Sequence, residues 1–144
     1  MNERNSRIES KTEVQGYLQN LKYALNHGAQ ITILTKRKVD ENRDIRYTNG
    51  YTINDLFPEE NPKEAIRREI ASLTVEEYLR TVKDINRPNK SEMREFGRVY
   101  QGKGDVYIKI RVDVISSDGS MTVLTMSFHY AEKPFEFEVF PYKK

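Results

Sequence analysis

Two stretches decide the fold of this 144-residue chain: VYIKIRVDV at residues 106–114 and TVLTMSFHY at residues 122–130. In both stretches apolar and polar side chains alternate, which is the pattern of a β-strand with one face in the protein core. The turn-forming residues Ser116–Ser120 lie between them and predict a hairpin. We therefore expect an antiparallel sheet in the second half of the chain.

The hydrophobic pattern also selects the register of this hairpin, because a shift by one residue moves every side chain of a strand to the opposite face. A two-residue Asp118-Gly119 turn would mix apolar and polar side chains on each face. A three-residue loop, Ser117–Gly119 with the glycine left-handed, keeps one face apolar. On that apolar face the predicted pairs are Ile108–Phe128, Ile110–Met126 and Val112–Leu124. On the other face the predicted pairs are Tyr107–His129 and Lys109–Ser127, with Arg111 beside Thr125.

Outside the hairpin, helix-start signals dominate. Three of them are found at Ser10-Lys11-Thr12-Glu13, Asn61-Pro62 and Thr74-Val75-Glu76-Glu77. The third predicts a helix through Val82. Short strands are predicted at Ile31–Leu34 and at Phe135–Phe140. The fold class is therefore α+β, with one domain over residues 1–144, disorder over 1–9, mainly helix over 10–83 and an antiparallel sheet over 92–140.

Composition excludes several kinds of chemistry. The chain has no Cys and two His residues, which excludes disulfides, cysteine-ligated metals and thiol nucleophiles and makes a zinc site unexpected. No apolar run approaches the ~18 residues of a membrane span, and the first residues are too polar for a signal peptide. We expect a soluble cytoplasmic protein that needs neither metal nor cofactor and does not bind membranes.

Positive charge is concentrated in one segment. The whole chain has a net charge of +2, whereas residues 80–111 hold nine basic and four acidic side chains. Clustered Lys and Arg attract phosphates, so RNA or another polyanion is a candidate partner. The alternative explanation is a solvated basic surface without a partner.

Four residues on the polar face of the hairpin have the chemistry needed to cleave RNA: Tyr107, Lys109, Arg111 and His129. RNA is cleaved without a metal when its 2′-hydroxyl attacks the adjacent phosphate, which requires a base, an acid and nearby cations. Histidine titrates near neutral pH and exchanges protons, while Lys and Arg stabilise developing negative charge. Tyrosine orients a phosphate or stacks on a base. The alternative is that these side chains only decorate a solvent-facing strand.

Several motifs resemble those of one known family: Glu95–Tyr100, Asp105–Ile110, Met126–Glu132 and Phe140–Lys143, with Ile70–Tyr78 upstream. Over residues 60–144 the chain is similar to the MqsR family of type II toxin–antitoxin toxins. The resemblance implies a RelE-like fold, in which N-terminal helices pack on a small curved antiparallel sheet. It also implies a metal- and ribosome-independent mRNA endonuclease. The expected partner is an antitoxin, a zinc or helix-turn-helix protein encoded beside the toxin.

The resemblance assigns roles to individual residues. Tyr107 matches the tyrosine of the family's Val-Tyr-(Ile/Leu)-Lys strand. Arg80 stands at a catalytic lysine of the family, His129 at a lysine of its final strand, and Arg94 near a functional glutamine. The expected catalytic residues are His129, Tyr107, Lys109 and Arg80. The expected RNA-binding residues are Arg111, Arg94, Arg98 and Lys103.

Two other functions remain open from the sequence. One is a regulatory module without catalytic activity that binds RNA or a protein through the same basic face. The other is a different enzyme on the same fold, such as a tRNA-cleaving toxin. Cleavage by a nuclease would depend on His129 and Tyr107, whereas a binder would depend on basic residues such as Lys109 and Arg98.

Overall fold

The computed structural model of the protein describes residues 5–33, 44–87, 89, 91–114 and 121–144. These residues form three α-helices and one six-stranded sheet, so the predicted α+β class is confirmed. The helices are α1 (Lys11–Asn26), α2 (Asn49–Leu56) and α3 (Pro62–Ala71). The strands are β1 (Ser6–Arg7), β2 (Gln30–Ile33), β3 (Tyr78–Val82), β4 (Met93–Tyr100), β5 (Gly104–Val114) and β6 (Met121–Tyr130).

The sheet is mixed and larger than the sequence predicts. Its strands lie in the order β1-β3-β4-β5-β6-β2. All neighbouring pairs are antiparallel except β2 and β6, which run parallel. A parallel pair needs a long connection between its strands, and here β3, β4 and β5 all lie between β2 and β6 in the chain. The purely antiparallel sheet of the prediction is therefore wrong at this edge.

Two of the predicted helices, α1 and α3, begin at their predicted start signals, in which the donor and the acceptor are three residues apart. At the start of α1, Oγ of Ser10 accepts from the Glu13 amide and the Glu13 carboxylate accepts from the Ser10 amide, each over 3.1 Å. At the start of α3, Oδ1 of Asn61 accepts from the Glu64 amide over 3.2 Å. Among the residues that the structure describes, no helix has the length and apolar character needed to cross a membrane.

The helices pack on one face of the sheet and enclose the core. Its apolar side chains come from α1, α3 and alternate positions of the central strands. We call this side of the sheet, which carries Phe96, Ile108 and Phe128, the helix-covered face. The opposite side, which carries Glu95 and Lys109, is the open face.

The predicted register of the β5–β6 hairpin is confirmed at the end far from the turn and is wrong nearer the turn. Pairs Tyr107–His129, Ile108–Phe128 and Lys109–Ser127 form as predicted. The register then shifts between Lys109 and Ile110, which leaves Met126 as an extra residue. Beyond this bulge the pairs are Ile110–Thr125, Arg111–Leu124 and Val112–Val123, so Val123 rather than Leu124 enters the core. The predicted turn at Ser117–Gly119 lies outside the described residues.

A buried asparagine explains the bulge. Nδ2 of Asn49 donates to the carbonyl of Met126 over 3.0 Å, and its Oδ1 accepts from the amide of Phe128 over 2.9 Å. The side chain therefore completes the hydrogen bonds of β6 just beyond the last paired residue of β2. Because this contact joins residues far apart in sequence, the alternation along β6 does not reveal it.

The helix predicted after Thr74 is wrong, since Tyr78–Val82 is the strand β3. The local signal does form: the Thr74 amide donates to Oε1 of Glu77 over 3.0 Å. It starts only one 3-10 turn, Val75–Glu77. β3 then pairs with β1 on one side and β4 on the other. Sheet hydrogen bonds on both edges outweigh the local preference for helix.

The last predicted strand, Phe135–Phe140, is also wrong. Residues Phe135–Phe137 form a 3-10 turn instead. The rings of Phe135 and Phe140 pack together with centroids 5.4 Å apart and lie over Gly97, where a Cβ atom would come within 2.8 Å of each ring. Because Gly97 follows the alternation of Glu95, the C-terminal segment folds across the open face rather than adding a strand.

Part of the N-terminal segment is ordered, so the prediction of disorder over residues 1–9 is wrong for the residues described. Ser6 and Arg7 pair with β3. The Arg7 guanidinium contacts the Glu92 carboxylate over 2.6 Å. Glu9 is buried at 5% exposure. Strand pairing and these contacts hold the segment against the sheet.

Candidate active site

Side chains from four neighbouring strands meet on the open face. Arg80 of β3 pairs with Glu95 of β4, and Glu95 in turn pairs with Lys109 of β5. Tyr107 of β5 pairs with His129 of β6. We call these five residues the open-face cluster. All four residues that the sequence predicts to be catalytic belong to it.

Tyr107 and His129 lie side by side, as the predicted register requires. Their ring centroids are 5.6 Å apart and the ring planes are inclined by 41°. Nδ1 of His129 lies 2.9 Å from the carbonyl oxygen of Tyr130. A carbonyl only accepts hydrogen bonds, so Nδ1 carries the hydrogen in this contact. In the neutral ring the nitrogen that accepts a proton is therefore Nε2.

A buried carboxylate organises the cations of the cluster. Glu95 is 1% exposed, with Oε1 2.6 Å from Nη1 of Arg80 and Oε2 3.7 Å from Nζ of Lys109. Burial raises the pKa of Tyr107 far above its usual value, and the charge of Glu95 and a hydrogen bond to it raise this pKa further. The Tyr107 phenol is therefore a protonated hydrogen-bond donor at neutral pH and not a base.

The cluster borders an open cleft of about 350 Å³. Tyr107, Lys109 and His129 form one wall. The opposite wall comes from the segment after β6 and includes Glu138. The Glu138 carboxylate forms an ion pair with the Arg80 guanidinium. A histidine, two lysines and two carboxylates thus line the same cleft.

This arrangement suits acid–base chemistry at a phosphate. An imidazole and a carboxylate on the cleft walls are groups that transfer protons. Lys109 and Arg80 supply positive charge for anionic oxygens, and their carboxylate partners hold them in position before a ligand arrives. The same carboxylates reduce the net charge of the site, so its attraction for phosphate is weaker than the sequence suggests.

Arg94 and Arg98 are not brought into this site, because alternate residues of β4 face the helices. Nε of Arg94 lies 2.9 Å from Oε1 of Glu9, and its guanidinium stacks 4.4 Å from the centroid of the Tyr17 ring. Nε of Arg98 lies 2.7 Å from Oε2 of Glu77. The predicted RNA-binding residues Arg94 and Arg98 therefore lie on the face opposite to the open-face cluster.

Arg111 and Lys103 are separated from the cleft in different ways. Arg111 lies on the open face but is 4% exposed, with Nη1 3.3 Å from Oδ2 of Asp84 and Nε 3.1 Å from Oδ2 of Asp113. Lys103 lies in the exposed turn between β4 and β5, with Nζ 3.8 Å from Oδ2 of Asp55. Of these two residues, Lys103 is the one accessible to a ligand.

Sequence reasoning did not identify Glu95 and Glu138 as residues of the site. Glu95 had a detectable signal, since it sits between two residues of the opposite face, Arg94 and Phe96, in an alternating stretch. Glu138 had no such signal. Its segment was predicted to be a strand, and that prediction did not bring Glu138 near Arg80. Only the packing of that segment on Gly97 brings Glu138 to Arg80.

Comparison with protein-family models, with curated proteins and with solved structures yields no significant match. In the ranges that the structure describes, no group of three or more His, Asp or Glu side chains is placed to hold a metal ion. The function is therefore inferred from the site itself and from the resemblance of the sequence motifs.

Proposed function

We propose that this protein is an endoribonuclease that cleaves RNA in the cleft beside the open-face cluster. One observation carries the proposal: Tyr107 and His129 are cross-strand neighbours on the same face as Lys109 and Arg80. These residues come from separate strands, yet they border or adjoin one open cleft. RNA cleavage without a metal requires two proton-transfer groups and nearby positive charge. His129, Glu138 and Lys109 line the cleft and can supply them.

In the proposed reaction, the 2′-hydroxyl oxygen of the substrate attacks the adjacent phosphorus and the bond from phosphorus to the 5′-oxygen breaks. A base takes the proton of the 2′-hydroxyl, and an acid gives a proton to the leaving 5′-oxygen. His129 acts through Nε2 in one of these roles. Glu138, held in the cleft by Arg80, is suited to the complementary role.

The remaining residues of the cluster stabilise charge and position the histidine. Lys109 and Arg80 offset the negative charge that develops on the phosphate oxygens. The protonated Tyr107 packs against the His129 ring and keeps it facing the cleft. Glu95 keeps the two cations and the Tyr107 phenol in place.

We further propose that the nuclease is the toxin of a type II toxin–antitoxin pair with a RelE-like fold. Support comes from the motifs shared with the MqsR family and from helices packed on one side of a sheet whose other side carries the cluster. The substrate would be mRNA in the cytoplasm. A cognate zinc or helix-turn-helix antitoxin would neutralise the enzyme.

Incubation with a defined mRNA in excess EDTA, with the products mapped by primer extension, tests the nuclease. We expect discrete cuts by the wild type and a rate lower by about 10²–10⁴-fold in His129→Ala. His27→Ala is the matched control, because His27 lies at the end of α1 with its ring stacked on Tyr23. It should cut at the wild-type rate.

Each other outcome has a definite meaning. Equal cutting by the wild type and His129→Ala would keep the nuclease and remove His129 from its mechanism. Binding of the mRNA without cutting by any variant would contradict the nuclease and favour a regulatory RNA-binding module.

A further inference from the structure

A second cleft, of about 310 Å³, lies beside the candidate active site. We call it the tyrosine cleft, after its wall residues Tyr47, Tyr51 and Tyr130. Because Tyr130 follows His129 on β6, the two side chains point to opposite faces of the sheet. The tyrosine cleft therefore lies on the helix side of the same strand ends, and its volume is in the range of small-ligand sites, about 300 Å³ and above.

The two clefts meet at the end of the sheet. Ala131, the residue after β6, lines both of them. Its amide donates to the carbonyl of Asp105 over 2.8 Å. Oδ2 of Asp105 accepts from the amide of Phe135, a wall residue of the first cleft, over 2.9 Å. These two hydrogen bonds hold the rim that the clefts share at Ala131.

The aromatic wall of the tyrosine cleft is accessible and held in place. Tyr51 is 39% exposed, and its ring meets the Tyr130 ring edge to face with centroids 6.5 Å apart. The Tyr130 hydroxyl donates to Oδ2 of Asp55 over 2.6 Å. Exposed aromatic rings of fixed orientation are the surfaces on which unpaired nucleobases stack.

Two cations flank this aromatic wall. Lys103 and Arg46 have side chains that are 50% and 61% exposed. The carboxylates of the cleft already have partners within the protein: Asp55 accepts from Tyr130 and lies 3.8 Å from Lys103, and Asp105 accepts from Phe135. Arg46 is likewise paired, with Nη2 3.2 Å from Oδ2 of Asp44. The cleft thus offers one exposed ring, Tyr51, beside two exposed but ion-paired cations. Rings and cations side by side are typical of sites for single-stranded nucleic acid.

We propose that the tyrosine cleft binds a nucleotide of single-stranded RNA next to the phosphodiester that is cleaved. The base stacks on Tyr51, and Lys103 and Arg46 contact the phosphate of that nucleotide. The proposal rests on the proposed function, since it takes RNA as the substrate of the first cleft. It gives Lys103 a role at a distance from the open-face cluster.

Fluorescence anisotropy with a labelled single-stranded hexanucleotide tests this site. The sugars of the probe are 2′-deoxy, so 2′-hydroxyl attack cannot occur and binding is measured separately from cleavage. We expect Tyr51→Ala to weaken binding by about 10-fold, because stacking contributes about 1–3 kcal/mol per base. Tyr51→Phe keeps the ring and should retain the wild-type affinity. Lys103→Ala should weaken binding and reduce its salt dependence.

Matched controls are available on α1. Tyr23→Ala removes a tyrosine that is 65% exposed, and Lys22→Ala removes an exposed lysine from the same helix. Both variants should bind the probe like the wild type. Binding that is unchanged in Tyr51→Ala and Lys103→Ala, or absent in the wild type, would overturn the tyrosine cleft. Weakened binding in both variants, in a protein that cuts no RNA, would keep the cleft and contradict the nuclease.

Discussion

The two faces of the sheet use the same pair of residue types for different purposes. On the helix-covered face, Arg94 and Arg98 contact Glu9 and Glu77 beneath the packed N-terminal elements. On the open face, Arg80 contacts Glu95 beside a cleft that also exposes His129. The pairs on the helix-covered face connect parts of the fold, whereas the pair on the open face holds side chains of the candidate site in position. Arginine content alone therefore does not locate a nucleic-acid surface.

Position along β4 decides which purpose a side chain serves. Arg94 and Glu95 are consecutive, yet they face opposite sides of the sheet. Arg94 meets the buried Glu9, whereas Glu95 meets Arg80 and Lys109. If this comparison is right, removing an arginine from the helix-covered face will mainly reduce stability, and removing a cation from the open-face cluster will mainly reduce activity.

The largest effect on stability is expected for Arg98→Ala. Arg98 is largely buried and donates to Glu77, to the Ser72 side chain and to backbone carbonyls. Its removal leaves the Glu77 carboxylate without this partner and should lower the free energy of unfolding by about 2–4 kcal/mol. Urea denaturation measures the change. Lys109→Ala, on the open face, should lower it by less than about 1 kcal/mol. Equal losses of unfolding free energy in Arg98→Ala and Lys109→Ala would contradict the proposed difference between the two faces.

Gly97→Ala should have the next largest effect. A Cβ atom at this position would lie 2.8 Å from the rings of Phe135 and Phe140, so the C-terminal segment must move. We expect a loss of about 1–3 kcal/mol in unfolding free energy and a lower cleavage rate, because Phe135 and Glu138 line the cleft. Gly16→Ala is the control. Nothing lies within 4 Å of a Cβ there, and alanine should stabilise α1 by about 0.5–1 kcal/mol. A fully stable Gly97→Ala would show that the segment is not held on the open face.

Glu9→Gln tests the helix-covered face by pH. Burial raises the pKa of Glu9, but hydrogen bonds from Arg94 and Thr81 outweigh it and hold the pKa below the usual 4.5. A lowered carboxyl pKa stabilises the fold above about pH 4.5, and this stabilisation is lost as the pH falls through the folded-state value. At pH 7 the free energy of unfolding of the wild type should exceed that of Glu9→Gln by about 1–2 kcal/mol. The gap should narrow below pH 4.5 in acid titrations followed by circular dichroism. A gap that is constant with pH would contradict the proposed role of the carboxylate.

The smallest effect is expected in the salt dependence of RNA binding. Lys109→Ala removes a cation from the cleft and should reduce the slope of log K against log salt by about 0.7, the value for one contact with a single-stranded phosphate. Arg94→Met removes a cation from the helix-covered face and should leave the slope unchanged. Nitrocellulose filter binding at several salt concentrations measures both. A change in slope for Arg94→Met would show that RNA contacts the helix-covered face near Arg94, which would contradict binding in the cleft on the open face.

Elements with local signals were predictable. The Ser10 capping box and the Asn61 N-cap begin α1 and α3 as expected, because the donors and acceptors involved are three residues apart. The neighbouring positions of Tyr107 and His129 were also predictable, since a short hairpin with one apolar face allows few registers. Tyr107 and His129 are the part of the site that the sequence places correctly.

Features that depend on distant partners were not predictable. β3 is a strand because β1 and β4 pair with its two edges, although the preceding capping box favours a helix. The bulge at Met126 depends on Asn49, which lies in a different element. The arrival of Glu138 beside Arg80 depends on how the C-terminal segment packs. A single sequence contains no record of such pairings.

The residues of β5 that share a face follow from the sequence, because side chains alternate along a strand whatever surrounds it. The alternation alone separates Tyr107 and Lys109 from Ile108. Tertiary structure alone decided what each charged side chain contacts. Arg80 contacts Glu138, which lines an open cleft, whereas Arg98 is enclosed by the end of α3 and Glu77. The energy of a buried charge depends on the partner that packing supplies.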